Sequence, residues 1–98
     1  MKHFVYILYS ETVNRFYIGE TFHVGDRLLK HNEHFFEHSF TKIAVDWEIF
    51  FVIECDNSTV ARKIERHIKN MKSRTYILNL KLYPDISRKL VEKYTYRA

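Results

Sequence analysis

The first twenty residues constrain the fold more than any other part of the chain. Val5-Tyr6-Ile7-Leu8-Tyr9 and Phe16-Tyr17-Ile18-Gly19 are two short runs rich in β-branched and aromatic residues, the composition that suits a pleated surface. Between them lies Glu11-Thr12-Val13-Asn14-Arg15, a polar connection of hairpin length in which Asn14 tolerates a left-handed turn. Residues 3–9 and 15–20 therefore read as two antiparallel strands. Gly19 ends the second strand, and a glycine there signals a bulge or the close approach of another backbone.

Helical spacing follows. Thr21 is placed to cap a helix over about 23–34. Val24, Leu28 and Phe35 form its apolar stripe, and Arg27, His31, His34 and His38 form a second, basic stripe. Gly25 weakens its first turn slightly. Residues 39–46 read as an irregular connection. Trp47 to Glu54 reads as a third, mostly buried strand around Ile49-Phe50-Phe51-Val52-Ile53. Asp56, Asn57 or Ser58 caps the next helix, whose core stripe is Val60, Ile64, Ile68 and Met71. Ser73 caps a short helix through Leu80. Pro84 starts a last one with Ile86, Leu90 and Tyr94 inward. The order β-β-α-β-α-α-α predicts an α+β domain, a three-stranded antiparallel sheet flanked by helices. One domain over 1–98 is expected, with its core in about 4–75 and a helical extension over 76–98.

Composition narrows the class. Two glycines and one proline leave little material for long loops or a disordered tail. No apolar run reaches bilayer-spanning length. The first ten residues lack a leader's length and cleavage site, and Cys55 has no second cysteine to pair with. A soluble, cytoplasmic protein is the expectation. The net charge of +4 hides an asymmetry. Residues 1–60 hold five Lys/Arg against nine Asp/Glu, and residues 61–98 hold eleven against three. So basic a half suits a polyanion.

Within that half Glu65 stands out as the one acid of residues 62–74, among Arg62, Lys63, Arg66, Lys69, Lys72 and Arg74. It can serve as the helical i,i+4 partner of Lys69. It can also hold a divalent metal, because Mg²⁺ takes one or two carboxylates and draws its other oxygens from water and phosphate. Arg27 and His31 lie one turn apart: a guanidinium fork fits phosphate, and a histidine can hydrogen-bond an attacking water or a phosphate oxygen. Tyr6 and Tyr17 can share one sheet face. A tyrosine acting as a base needs activation, since its ordinary pKa is near 10, and Lys42 in Phe40-Thr41-Lys42 is a candidate cation. Singly, each of these residues has an ordinary structural explanation.

Jointly they form a pattern. Tyr6, Tyr17 with Gly19, Arg27 with His31, the Phe40-Thr41-Lys42 loop and Glu65 within Ala61-x-x-x-Glu65-x-x-Ile68-Lys69 resemble the GIY-YIG nuclease family. The likeness covers about residues 4–75 and is strongest to small single-domain bacterial members, similar to the nuclease module of the UvrC repair protein. The first motif is written Val5-Tyr6-Ile7 rather than Gly-Ile-Tyr, and the asparagine some members carry after the glutamate has no counterpart at the expected spacing. The resemblance implies a Mg²⁺- or Mn²⁺-dependent endonuclease acting on DNA, in repair or recombination, with no small-molecule cofactor. Tyr6, Tyr17, Arg27, His31 and Glu65 would be its catalytic set, with Glu65 the metal ligand. Lys42, Arg62, Arg66, Lys69, Lys72 and Arg74 would contact nucleic acid. The alternative is a non-catalytic nucleic-acid-binding module on the same scaffold. Oligomeric state is left open. One rival motif, His34-Phe35-Phe36-Glu37-His38, matches the His-x-x-Glu-His pattern of inverted zinc peptidases, but five residues on a chain this short specify little.

Overall fold

A computed structural model describes residues 1–34 and 40–96. Strand β1 (His3–Ser10) is central, with β2 (Arg15–Thr21) on one side and β3 (Glu48–Cys55) on the other, both antiparallel to it. Helix α1 (Val24–Asn32) and a 3₁₀ turn (Phe40–Ile43) lie between β2 and β3 in sequence; α2 (Ser58–Met71), α3 (Arg74–Leu82) and α4 (Pro84–Thr95) follow. The expected order and sheet type are therefore those observed.

Alternation along β1 separates two cores. Val5 and Ile7 point to the α2–α4 side, where they pack with Ile53, Ala61, Ile64, Ile68, Leu80 and Leu90. Tyr6 and Leu8 point the other way, toward α1, and pack with Ala44, Trp47, Tyr17 and Leu28. The β1–β2 register runs without interruption from Phe4 opposite Thr21 to Ser10 opposite Arg15. No bulge accompanies Gly19. The irregularity lies on the other side of β1, between Ile7 and Leu8 against β3. It lets consecutive Phe50 and Phe51 both pack on the helix-side core.

The ends of elements follow capping chemistry. The Asn57 side chain accepts from the Val60 amide at 3.0 Å, and Ser73 accepts from the Tyr76 amide at 3.0 Å, each satisfying a first-turn donor. Thr21 does not cap α1. It stays in β2, paired with Phe4, and its hydroxyl accepts from the His23 amide. His23 is the cap instead, its Nδ1 accepting from the Asp26 amide at 3.2 Å. Helix α1 also stops short of residue 34. Its last residue, Asn32, turns its side-chain amide onto both backbone polar groups of Trp47, at 2.8 and 2.9 Å. That engagement keeps Trp47 out of β3. His34 adopts a left-handed conformation, φ 58°, past the helix end. The expected mostly buried β3 is corrected as well. It is an edge strand, in which only Ile53 and Cys55 are fully buried and Ile49 is exposed.

Two polar clamps hold the hairpin. Asp46 accepts from the Ser10 hydroxyl at 2.6 Å and from the Thr12 hydroxyl and amide; these bonds hold its carboxyl below the usual range. Asn14 takes the left-handed turn, φ 52°. Arg74, at the start of α3, donates to both the backbone and side-chain oxygens of Asn14 while stacking on Phe16 at 4.9 Å. Arg74, which the sequence also offers as a nucleic-acid contact, thereby holds the hairpin turn as well. Arg74→Ala should cost about 1–2 kcal/mol through the lost hydrogen bonds and ring contact, read as a lower urea midpoint. Arg74→Lys should recover only part, because an ammonium cannot make the forked contact.

Candidate active site

The site begins with Tyr6. It pairs with Gly19 across the β1–β2 ladder, and a β-carbon at Gly19 would lie 2.4 Å from the Tyr6 hydroxyl oxygen. The close approach read from the glycine is real, but a side chain makes it. The backbone of Gly19 is not left-handed; the position is glycine for space. Leu8 lies opposite Tyr17, so Tyr6 and Tyr17 are diagonal neighbours on one face, with ring centroids 6.2 Å apart.

Helix α1 covers this face and brings His31. Tyr6 and His31 are 1% and 2% exposed. The Tyr6 hydroxyl and His31 Nε2 are hydrogen-bonded at 2.9 Å, and the His31 ring packs on Tyr17 with centroids 4.8 Å apart. On the other side of the ring, Nδ1 is hydrogen-bonded to the Thr41 hydroxyl at 2.6 Å. Thr41, in the 3₁₀ turn, is equally buried. In the sequence Thr41 stands out only as part of the Phe40-Thr41-Lys42 loop motif; a hydroxyl amino acid between Phe40 and Lys42 gives no sign of burial by itself.

Electrostatics tie Arg27 and Glu65 to this cluster. Burial pushes the Tyr6 hydroxyl well above the ordinary tyrosine pKa, and Tyr17, Glu65 and Glu20 push the same way; Arg27 opposes them. Arg27, rather than the expected Lys42, supplies the cationic influence on Tyr6. Burial and then the Arg27 charge lower His31 to about 4. At neutral pH both members of the Tyr6–His31 pair are therefore uncharged.

Glu65 comes from α2, in the helix layer on the other face of the sheet. The link between Glu65 and Tyr6 is one of charge. Its carboxylate is 21% exposed and lies 3.5 Å from Lys69 one turn on, so the i,i+4 pairing is real. Lys69 lines a surface hollow with Phe16, Tyr17, Ile18 and Phe40, and Arg62 lies 3.7 Å from Glu20 of β2. This side of α2 thus runs along the β2 edge. Arg62 and Arg66 line a second hollow with Thr59 and Lys63. Lys63 and Arg66 also line a third with His67, Asn70 and Tyr94. Lys63 and His67 were not among the expected nucleic-acid contacts. Lys72 closes α2 in a left-handed conformation, and Lys42 is exposed on the 3₁₀ turn.

Of the rival zinc pattern only His34 falls among the described residues. His34 lies beyond α1 and its Nε2 donates to the Ala44 carbonyl at 2.9 Å; Phe35, Phe36, Glu37 and His38 lie outside the described residues. Among the described residues no three His, Cys, Asp or Glu side chains gather as a metal cage. No described helix is long and apolar enough to cross a membrane.

The GIY-YIG catalytic domain model matches residues 2–77. The chain belongs to the GIY-YIG family. The match spans the sheet, α1 and α2, and ends within α3. It supports nuclease-type function in general, while α4 adds Leu90 to the same helix-side core. No curated protein and no solved structure gave a significant match.

Two outcomes follow from the Tyr6 pair. Gly19→Ala should drive the Tyr6 ring off its position, destabilise the protein by roughly 1–3 kcal/mol and break the Tyr6–His31 bond, measurable by denaturation and by the His31 ring ¹⁵N shifts. His31 binds a proton below about 4 when folded but near 6.5 when unfolded. Between those values the unfolded chain holds more protons, so stability should fall as pH drops through that window, by about 3 kcal/mol at most from this group. His31→Gln should flatten that part of the pH–stability curve.

Proposed function

We propose that this protein is a divalent-metal-dependent endonuclease that hydrolyses phosphodiester bonds in DNA. The observation that carries the reading is the buried Tyr6–His31 hydrogen bond with Tyr17 against it and the Arg27 charge acting on both members. A neutral histidine bonded to a tyrosine hydroxyl gives the phenolic proton a place to go when the phenol oxygen takes one from water.

In the proposed reaction Tyr6 accepts a proton from the attacking water while its own phenolic proton passes to His31 Nε2. No free phenolate is required, which suits a hydroxyl whose proton is held so firmly. Arg27 binds the scissile phosphate and stabilises the charge that builds on it. Phosphate bound there offsets the Arg27 charge, and with it one of the two causes that depress His31. The substrate thereby raises the basicity of the group that must take its proton. Tyr17, half-buried and lining the hollow beside Lys69, orients the water or the phosphate.

Glu65 fits a Mg²⁺ or Mn²⁺ ion by the chemistry of its donor. A single, partly exposed carboxylate leaves coordination positions for water and phosphate oxygens. Lys69, half-exposed, is free to turn from Glu65 toward a phosphate when a cation takes its place. Bound there, the metal would act as a Lewis acid on the phosphate and stabilise the leaving oxygen. Arg62, Arg66, Lys69, Lys72 and Lys42 would follow the DNA backbone, which makes binding salt-dependent. The alternative, a non-catalytic DNA-binding module, needs the basic surface alone.

A nicking assay on plasmid, flap and branched DNA separates the two. Cleavage should require Mg²⁺ or Mn²⁺, and a folded Glu65→Ala protein should be inactive while still binding DNA. Tyr6→Phe keeps the ring over Gly19 and should lower cleavage by roughly 10²–10⁴-fold with little change in binding. Full activity of a well-folded Glu65→Ala protein would remove the metal site. DNA binding without cleavage by the wild type on every substrate, with either metal, would favour the binding module.

A further inference from the structure

His31 uses both ring nitrogens inside the protein, and it is uncharged at neutral pH. A neutral imidazole has one N–H and one lone pair. Only two arrangements are therefore open. Either Nδ1–H donates to Thr41 and Nε2 accepts from the Tyr6 hydroxyl, or Nε2–H donates to the Tyr6 oxygen and Thr41 donates to Nδ1. Only the first leaves His31 able to receive the Tyr6 proton.

The backbone of Thr41 is held beside the ring. The Thr41 carbonyl accepts from the Trp47 indole N–H at 2.7 Å. Trp47 is held at both backbone polar groups by the side chain of Asn32, the residue next to His31 on α1. A closed circuit thus runs from His31 to Thr41, to Trp47, to Asn32 and back along the helix. It joins the last turn of α1 to the 3₁₀ turn, and all three of His31, Thr41 and Trp47 are buried. Water cannot readily replace the hydroxyl at Nδ1 in so dry a place, so whatever sets the tautomer must come from the protein.

We propose that Thr41 is a positioning residue whose hydroxyl accepts the Nδ1 proton of His31 and so keeps Nε2 open as the acceptor for the Tyr6 hydroxyl. The proposal rests on the nuclease reading for its effect on rate, but not for its effect on the imidazole. In the reaction the water loses one proton to the Tyr6 oxygen, and the Tyr6 proton moves to His31 Nε2. The resulting hydroxide forms the new bond to phosphorus as the bond to the leaving oxygen breaks, and the leaving oxygen is finally protonated at the expense of the His31 imidazolium. Throughout, the Nδ1 proton remains on the ring, directed at Thr41.

The test uses the full chain, ¹⁵N-labelled, with Thr41→Val and Thr41→Ser variants. Valine has nearly the same shape and no hydroxyl; serine restores the hydroxyl without the methyl. In the wild type the His31 ring ¹⁵N shifts should show Nδ1 protonated and Nε2 as the acceptor. Thr41→Val should lose that fixed tautomer and lower kcat for plasmid nicking about tenfold or more with KM nearly unchanged, and Thr41→Ser should recover both. A wild-type ring protonated at Nε2 overturns the proposal without any variant being needed. So does a folded Thr41→Val protein with the wild-type tautomer and rate. If the wild type cleaves no DNA at all, the nuclease reading fails and the rate effect with it, while the tautomer comparison still decides whether Thr41 sets the His31 ring.

Discussion

The Tyr6 side chain occupies the space that a side chain at position 19 would need. Everything on the α1 face depends on that exclusion. Because Gly19 carries no β-carbon, the Tyr6 ring lies across β2, and its hydroxyl arrives at His31 Nε2. Because the hydroxyl arrives there, a histidine can be buried at that point with both nitrogens satisfied, and a buried polar ring without partners would be strongly destabilising. The fit of one tyrosine over one glycine thus connects the hairpin, α1 and the 3₁₀ turn.

The two faces of the sheet divide the work of the molecule. The α2–α4 side is an aliphatic core, with Ile53, Ile64, Ile68, Ile77, Leu80 and Leu90 closed over Val5 and Ile7. It holds the chain together through burial of apolar surface. The α1 side is smaller and carries Tyr6, His31, Thr41 and Trp47 in a hydrogen-bonded network, with the Tyr17 ring packed on His31. Such a network is rigid when every member is satisfied. The α2 helix serves both sides. Its apolar stripe closes the first core, while Glu65, Lys69 and Arg62 run along the β2 edge beside the second.

Charge is arranged with the same economy. Arg27 acts on Tyr6 and His31 in the same sense: it favours the deprotonated form of each, the tyrosinate and the neutral imidazole. Glu65 opposes it at Tyr6. In the proposed nuclease, a phosphate on Arg27 and a cation on Glu65 would offset both influences together.

The amino-acid sequence determined the local periodicities and what they imply. The two tyrosine runs with a polar connector gave the hairpin, the Val60–Ile64–Ile68–Met71 spacing gave α2 although Met71 itself is exposed, and the Asp56-Asn57-Ser58 run, Ser73 and Pro84 marked helix starts, because capping and amphipathic spacing are set within a few residues. The motif residues Tyr6, Tyr17, Gly19, Arg27, His31 and Glu65 were legible as a pattern for the same reason: their spacing survives in one dimension. Tertiary structure alone decided the rest. The side chain of Asn32 reaching Trp47 ended α1 and shortened β3, Arg74 was drawn onto Asn14 and Phe16, and β3 became an exposed edge once β1 took the centre. Thr41 met His31 from ten residues away in sequence, a spacing that no helix or strand periodicity predicts. Contacts between residues distant in sequence depend on which elements become neighbours, and that is settled by the packing of the whole chain.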